Sequence, residues 1–392
     1  MSTRPGYLSY ISWFFVFFAG FGLVVPQLSP YIYSTLKLES PGIIFLAGQL
    51  ALPLGSLLSG YLSDKTLRLR SIQLGSTLLA AVSIAAFSLP AWLGWAASKG
   101  YYLLGWAGFC FSLGGILPLA NVSYMQSGLP PEKFGVVRLF GTLAFFIING
   151  ILIVIKARPE ALLFLSSFLF ILSAAFLFLL PAKRQSSGQP FQASAIGRLL
   201  GTPLFLFFLF IMLLSFIQFG PSEYVIGDIV SKIEFAFEPV PFSWMLGTAT
   251  EIIFFAASPW LIRRVSPSIL LAMGFIIGVL RYGGMLLFAG DEMLIYLQSL
   301  HGLHFAPAFL GSLLLLEQKV DARYLATAQA LYLVLARALG TGIGAFVLGD
   351  LTAAGLFDAA WYIAIAVATC GFALVFIFSK KQKGRYFLKE AT

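Results

Sequence analysis

The chain has 392 residues, of which 59% are hydrophobic and 10% charged, with a formal net charge of +9. Soluble domains carry about 25% charged residues. The composition therefore excludes a soluble globular protein and leaves an integral membrane protein, long enough for about twelve spans of ~20 residues. The basic balance does not imply nucleic acid, because membrane proteins gather Lys and Arg in their cytoplasmic loops.

In chain order, apolar runs predict spans at 8–33, 42–62, 72–93, 101–124, 138–157, 160–181, 203–226, 241–262, 268–289, 293–316, 326–349 and 357–379. The first lacks a small-residue cleavage site after a short apolar stretch and reads as an uncleaved span. Cys110 and Cys370 both fall inside apolar runs, as packing residues rather than a disulfide or a metal site.

Loop charges orient the spans. With both termini cytoplasmic, eighteen Lys and Arg residues fall on the inner side, from Arg4 and the Lys65-to-Arg70 loop to the tail at Lys380–Lys389. Five fall outside: Lys37, Lys99, Lys156, Arg158 and Lys232. This asymmetry is the positive-inside signature. Arg281 and Arg337 remain within spans.

The longest polar interruption runs from Pro181 to Arg198 and is rich in Ser, Gly and Gln, the composition of a flexible linker. It divides the chain into a six-helix bundle at 1–182, a cytoplasmic linker at 183–199, a second six-helix bundle at 200–379 and a basic cytoplasmic tail at 380–392. The tail reads as a topology and lipid-contact segment. Spans two and eight both run into basic cytoplasmic turns, at Asp64-Lys65 and Arg263-Arg264. Such parallel repeats suit alternating access, with a site between the halves near the bilayer midplane.

Gly60-Tyr61-Leu62-Ser63-Asp64, followed by Lys65, Arg68 and Arg70, resembles the loop motif of the major facilitator superfamily. Further stretches are similar to a narrower branch, that of the bacterial phenylpropionate permease, lactose permease and the nucleoside–proton symporters. They are Phe134 to Thr142 opening span five, Gly247 to Phe254 in span eight, Gly278 to Gly283 in span nine, Gln298 to Gly302 with Phe305 in span ten, and Ala328 to Tyr332 in span eleven. The resemblance implies an all-α fold of two six-helix bundles and proton symport, with the coupling residues in the second half. The chain departs from the branch at Asn121 after Pro118-Leu119, at Glu223 and at Arg337, where substrate would bind, so the branch's substrates do not carry over.

Glu251 sits mid-way along an apolar run. An Asp at the bilayer centre costs roughly 2.5–3.5 kcal/mol even on lenient scales, so a carboxylate there needs a partner, a proton or a water-filled cavity. Arg281 on the neighbouring span is the expected partner. The pair is either a fixed structural one that orients helices or a proton switch. A carboxyl alone in a dry site holds its proton, and beside a guanidinium it gives the proton up, so a conformational change that separates the pair changes its proton occupancy. His301 joins Glu251 and Arg281 as a proton-coupling candidate. Its neighbour His304, one helical turn on, reads as packing. Two histidines without a spaced Cys or carboxylate do not make a metal site, and no cofactor is expected.

The substrate-binding candidates are Gln27, Asn121, Gln298, His301 and Arg337. Arg337 either pairs with Glu223, for which Glu223 looks too near the end of span seven, or faces the cavity. A guanidinium there favours an anionic, carboxylate substrate. Asp64, Arg68 and Arg138 are gating candidates at the cytoplasmic mouth, with a topology signal as the other reading.

The sequence thus reads as a secondary transporter of the cytoplasmic membrane. It moves a small organic solute with protons, works as a monomer among lipid, and binds no nucleic acid. The alternatives are a uniporter or exchanger of a neutral solute such as a nucleoside or sugar, with Glu251 and Arg281 structural, and a transporter-like sensor. No nucleophile–base pair, metal cluster or phosphate loop suggests an enzyme.

Overall fold

A computed structural model describes residues 4–38, 40–66, 68–130, 133–180, 193–382, 384, 386 and 387. Twelve helices or helix runs among these are long and apolar enough to cross a membrane, from Gly6–Thr35 to Phe357–Lys381. Large apolar side chains such as Leu54, Leu104, Val154 and Leu287 are left exposed on their outer faces, the arrangement expected of a multi-pass membrane protein, whose solvent is itself apolar.

The chain divides into two compact units. The first comprises residues 1–187 and 226–245. It contains α1 (Arg4–Pro30), which continues through a π turn at Tyr31–Thr35, then α2 (Gly42–Thr66), α3 (Leu69–Leu93), α4 (Lys99–Met125), α5 (Phe134–Leu152) and α6 (Pro159–Phe176). Glycines set how closely these helices approach. A methyl group at Gly55 would overlap the carbonyl of Phe111, and one at Gly114 the carbonyl of Leu52, so α2 and α4 touch backbone to backbone, as small residues allow in apolar solvent. Helix ends follow local chemistry: the Ser98 side chain accepts from the Tyr101 N–H at the start of α4, Gly94 ends α3 at φ 66°, and Pro159 occupies the first turn of α6.

The second unit comprises residues 188–225 and 246–392. It holds α7 (Ala193–Leu200), α8 (Pro203–Tyr224), most of α10 (Pro239–Leu261), α11 (Pro267–Leu287), α12 (Met293–Tyr296), α13 (Leu300–Lys319), α14 (Ala322–Leu331), α15 (Leu339–Ala353) and α16 (Phe357–Lys381). The short α9 (Ile226–Ser231) and the start of α10 belong to the first unit. Glycines again set the close approach, with Gly344 against the carbonyl of Ile217 joining α15 to α8. A 3-10 turn at Leu297–Ser299 interrupts span ten, and a π turn at Tyr332–Ala338 interrupts span eleven.

Four expectations change. Span five, expected at 138–157, is helical over Phe134–Leu152. Its chain leaves the helix before the polar Lys156-Ala157-Arg158 run, and the Ile153 carbonyl accepts from the Glu238 N–H at 2.9 Å. Because the helix begins at Phe134, Arg138 lies one turn inside α5 instead of at its first position. Span seven, expected to end at 226, breaks at Val225 and resumes as α9 to Ser231. Residues 183–192 of the expected linker lie outside the described residues, but 193–200 form α7, where Arg198 donates to the Tyr324 hydroxyl at 3.1 Å and stacks on its ring. In the tail, Phe387 is 1% exposed among Phe205, Phe208 and Phe378, and its N–H donates to the Lys319 carbonyl at 2.7 Å. This part of the tail is core, because an aromatic ring beyond α16 finds an apolar gap at the end of the bundle.

Candidate functional site

The residues expected to couple protons converge in the second unit, where α10, α11 and α13 meet. The 3-10 turn before α13 frees the Ser299 carbonyl, which accepts from the Thr250 hydroxyl at 2.6 Å. Irregular backbone at membrane depth is tolerated where protein satisfies it in this way. The same turn presents Gln298 to α11, and His301 follows in the first turn of α13. Arg281, 1% exposed, donates from Nη2 to Oε1 of Gln298 at 2.5 Å, and its Nη1 lies 3.5 Å from Nδ1 of His301. The Gln298 amide nitrogen donates in turn to the Leu294 carbonyl at 2.7 Å. Glu251 is held on the facing helix: a methyl at Gly302 would overlap its backbone nitrogen, and one at Gly247 would lie 3.0 Å from Cβ of His301. The glycines on either side thus bring the Glu251 backbone against the start of α13, which carries His301.

His304 and Gln218 extend this network. His304 is 1% exposed and Gln218 fully buried. Among the described residues, neither the His304 ring nitrogens nor the Gln218 amide atoms have a hydrogen-bond partner. Both side chains lie against Gly278, and the Tyr282 hydroxyl donates to the Gln218 backbone carbonyl. Phe219 lies between the histidines, its ring centroid 5.1 Å from His301 and 5.2 Å from His304. Sequence reasoning missed Gln218. The available signal was a lone amide in the run Phe216-Ile217-Gln218-Phe219.

Arg337 occupies the π turn of span eleven, half-buried among three phenylalanines. Its guanidinium lies 6.0 Å from the Phe216 ring centroid and 5.8 Å from those of Phe305 and Phe309. Glu223 is within electrostatic reach of it. Because span seven runs on to Ser231, Glu223 lies farther from its end than the sequence leads one to expect. Phe305 also packs 5.3 Å from Phe219, so a line of rings joins the Arg337 cage to His301.

The first unit places the remaining candidates apart. Gln27 is buried in α1, and Asn121 is exposed on α4. The Arg138 guanidinium lies 4.0 Å over the Phe18 ring and 5.6 Å from Phe14. Arg68 is exposed just before α3, and the Asp64 side chain lies outside the described residues.

The MFS_1 like family matches residues 7–363. The chain belongs to that family. It is 28% identical over 312 residues to a protein of Escherichia coli (strain K12) named "Probable 3-phenylpropionic acid transporter", covering 76% of this chain and 78% of that one. Among solved structures it is similar to the nucleoside transporter NupG, with a TM-score of 0.81 and 18% identity over 98% of this chain and 100% of that one. It is also similar to the POT family transporter PepTSo, with a TM-score of 0.74 and 13% identity over 98% of each chain. At such identities these neighbours carry the fold, and the fold is that of membrane transporters.

Proposed function

We propose that this protein is a secondary transporter of the cytoplasmic membrane that moves a small organic carboxylate together with a proton. The observation that carries the reading is the junction of α10, α11 and α13: a buried guanidinium, Arg281, held by Gln298 and His301, beside the start of α13, where the Glu251 backbone packs on Gly302. A buried cation favours ionised Glu251 when the two are close, and separating them in a dry site favours the proton. A transport cycle that changes their spacing therefore loads and unloads a proton.

Arg337 supplies the substrate end. Its guanidinium suits a carboxylate, the three phenylalanines suit an apolar or aromatic body, and Glu223 balances the cation when no anionic substrate is present. The substrate named for the Escherichia coli relative has both parts, a carboxyl group and an aryl ring. Gln27 and Asn121 of the first unit are proposed to contribute sparse polar contacts, and Asp64, Arg68 and Arg138 to stabilise closure at the cytoplasmic side.

The test is substrate-induced alkalinisation of the medium around proteoliposomes on addition of 3-phenylpropionate, measured against protein-free vesicles. Protein-dependent proton uptake that follows the substrate is expected. Saturable uptake of the substrate with no accompanying proton movement would overturn symport.

A further inference from the structure

Arg263 and Arg264 take no part in the sites described above. They follow α10 in a short turn, where the Arg264 and Val265 N–H groups both donate to the Leu261 carbonyl, at 3.0 and 2.8 Å. Directly after it α11 starts at Pro267, with the Ser266 side chain accepting from the Ile269 N–H. The turn is therefore tied at both ends. The Arg264 guanidinium lies over the Trp260 ring, 4.6 Å from its centroid, because residues four apart share a helix face. Pro259, Trp260, Arg263 and Arg264 line an open groove of about 350 Å³.

Three observations distinguish this groove from a plain charged turn. First, neither arginine has an acidic partner among the described residues, where the ion pairs involve Lys156, Arg158 and Lys232. Second, the groove ends an exposed apolar stripe. Ile253, Ala257 and Trp260 are exposed at i, i+4 and i+7, which is one face of a helix. In a membrane protein such a face meets acyl chains, and a Trp at its end sits at headgroup level. The guanidiniums follow one turn beyond the ring, at the level of lipid phosphates. Third, the planar donors of a guanidinium match phosphate oxygens in pairs, and Arg264 is already held against an aromatic face. The loop charges predict a cytoplasmic position for this end, and the cytoplasmic leaflet is the anionic one.

We propose that this groove binds one anionic phospholipid of the cytoplasmic leaflet, with its phosphate held by Arg263 and Arg264 and its acyl chains lying along Trp260 and Ile253. This goes beyond the proposed function and does not depend on the substrate or on protons.

The test is native mass spectrometry of the full chain in a non-ionic detergent, titrated with phosphatidylglycerol and, separately, with zwitterionic phosphatidylcholine. The parent should hold its first phosphatidylglycerol at least about ten-fold more tightly than phosphatidylcholine. Arg263→Gln combined with Arg264→Gln should weaken that binding by about ten-fold or more, since each basic residue at a lipid surface adds to headgroup attraction. Both arginines are exposed, so the variant keeps the fold. Arg263→Lys with Arg264→Lys should recover only part of the loss, because an ammonium lacks the planar fork. Lys37→Gln with Lys99→Gln removes the same charge from the first unit and should change binding by less than about two-fold. Binding by the double Arg-to-Gln variant within about two-fold of the parent would overturn the site, as the headgroup attraction would then be absent. An equal loss in the Lys37 and Lys99 variant would overturn it too, since net charge alone would then account for binding. Displacement of the lipid by inorganic phosphate at matched concentration would overturn the assignment to a lipid.

Discussion

Gly302 of α13 has no room for a side chain, because the backbone nitrogen of Glu251 lies against it. The carboxylate-bearing helix is thus in direct backbone contact with the start of α13, one residue on from His301. Gly302→Val is expected to push α10 and α13 apart. Overpacking costs typically about 1–3 kcal/mol in well-packed interiors, so a lowered thermal midpoint together with loss of transport is the expected result. Wild-type stability and uptake would mean that the close approach is not needed.

Gln298 accepts from a guanidinium that is almost fully buried. Gln298→Leu removes the acceptor and leaves a buried charged donor short of a partner, at a cost of about 1–3 kcal/mol or more. A lower thermal midpoint and reduced uphill uptake are expected. Gln298→Glu restores an acceptor and should recover stability while changing the pH dependence of uptake, which a purely structural role would leave unmoved.

The Arg337 cage makes substrate charge testable. Arg337→Gln should weaken 3-phenylpropionate binding by about ten-fold or more, the scale of losing a charge-assisted hydrogen bond. Arg337→Lys should recover only part of it, since an ammonium lacks the planar fork. Binding measured by thermal shift or calorimetry checks this, and undiminished affinity in Arg337→Gln would remove the carboxylate from the proposal.

Phe387 packs on three other phenylalanines at the end of the second unit. Phe387→Ala should cost about 3–5 kcal/mol, as for other buried aromatic truncations, seen as a lower thermal midpoint. Deleting the residues after 387 should have little effect. Equal stability of Phe387→Ala and the parent would return the segment to the role of a simple tail.

The spans were legible in the sequence because hydropathy is a local signal, and burial in lipid selects for it at every position. The chemistry-bearing side chains Glu251, Arg281 and His301 stood out for the complementary reason, that ionisable groups are costly in apolar runs. Their hydrogen-bond partners are less accessible to sequence reasoning. Adjacency of spans points Arg281 to Glu251, but its hydrogen bond to Gln298 depends on a 3-10 turn that no periodicity announces. Glu223 looks too shallow for Arg337 when span seven ends at 226, but the chain resumes a helix at Ile226 and holds it to Ser231. Phe387 was hidden among basic neighbours whose charge set the reading of the whole tail.

One proton carried with one carboxylate transfers no net charge. Accumulation of 3-phenylpropionate should therefore follow the pH gradient, about ten-fold per unit at equilibrium, and be indifferent to an imposed potential. A neutral solute carried with a proton would respond to potential, at about 2.3 kcal/mol per 100 mV. Proteoliposomes with separately imposed pH and potassium gradients distinguish the two.

The central claim, that Glu251 carries the coupled proton, is tested most directly by comparing uphill uptake with exchange in Glu251→Gln proteoliposomes. The proposal predicts that uphill accumulation of 3-phenylpropionate is lost while exchange of internal for external substrate continues, because the amide holds the protonated form's shape and cannot release a proton. Accumulation by the mutant at the wild-type level would contradict it.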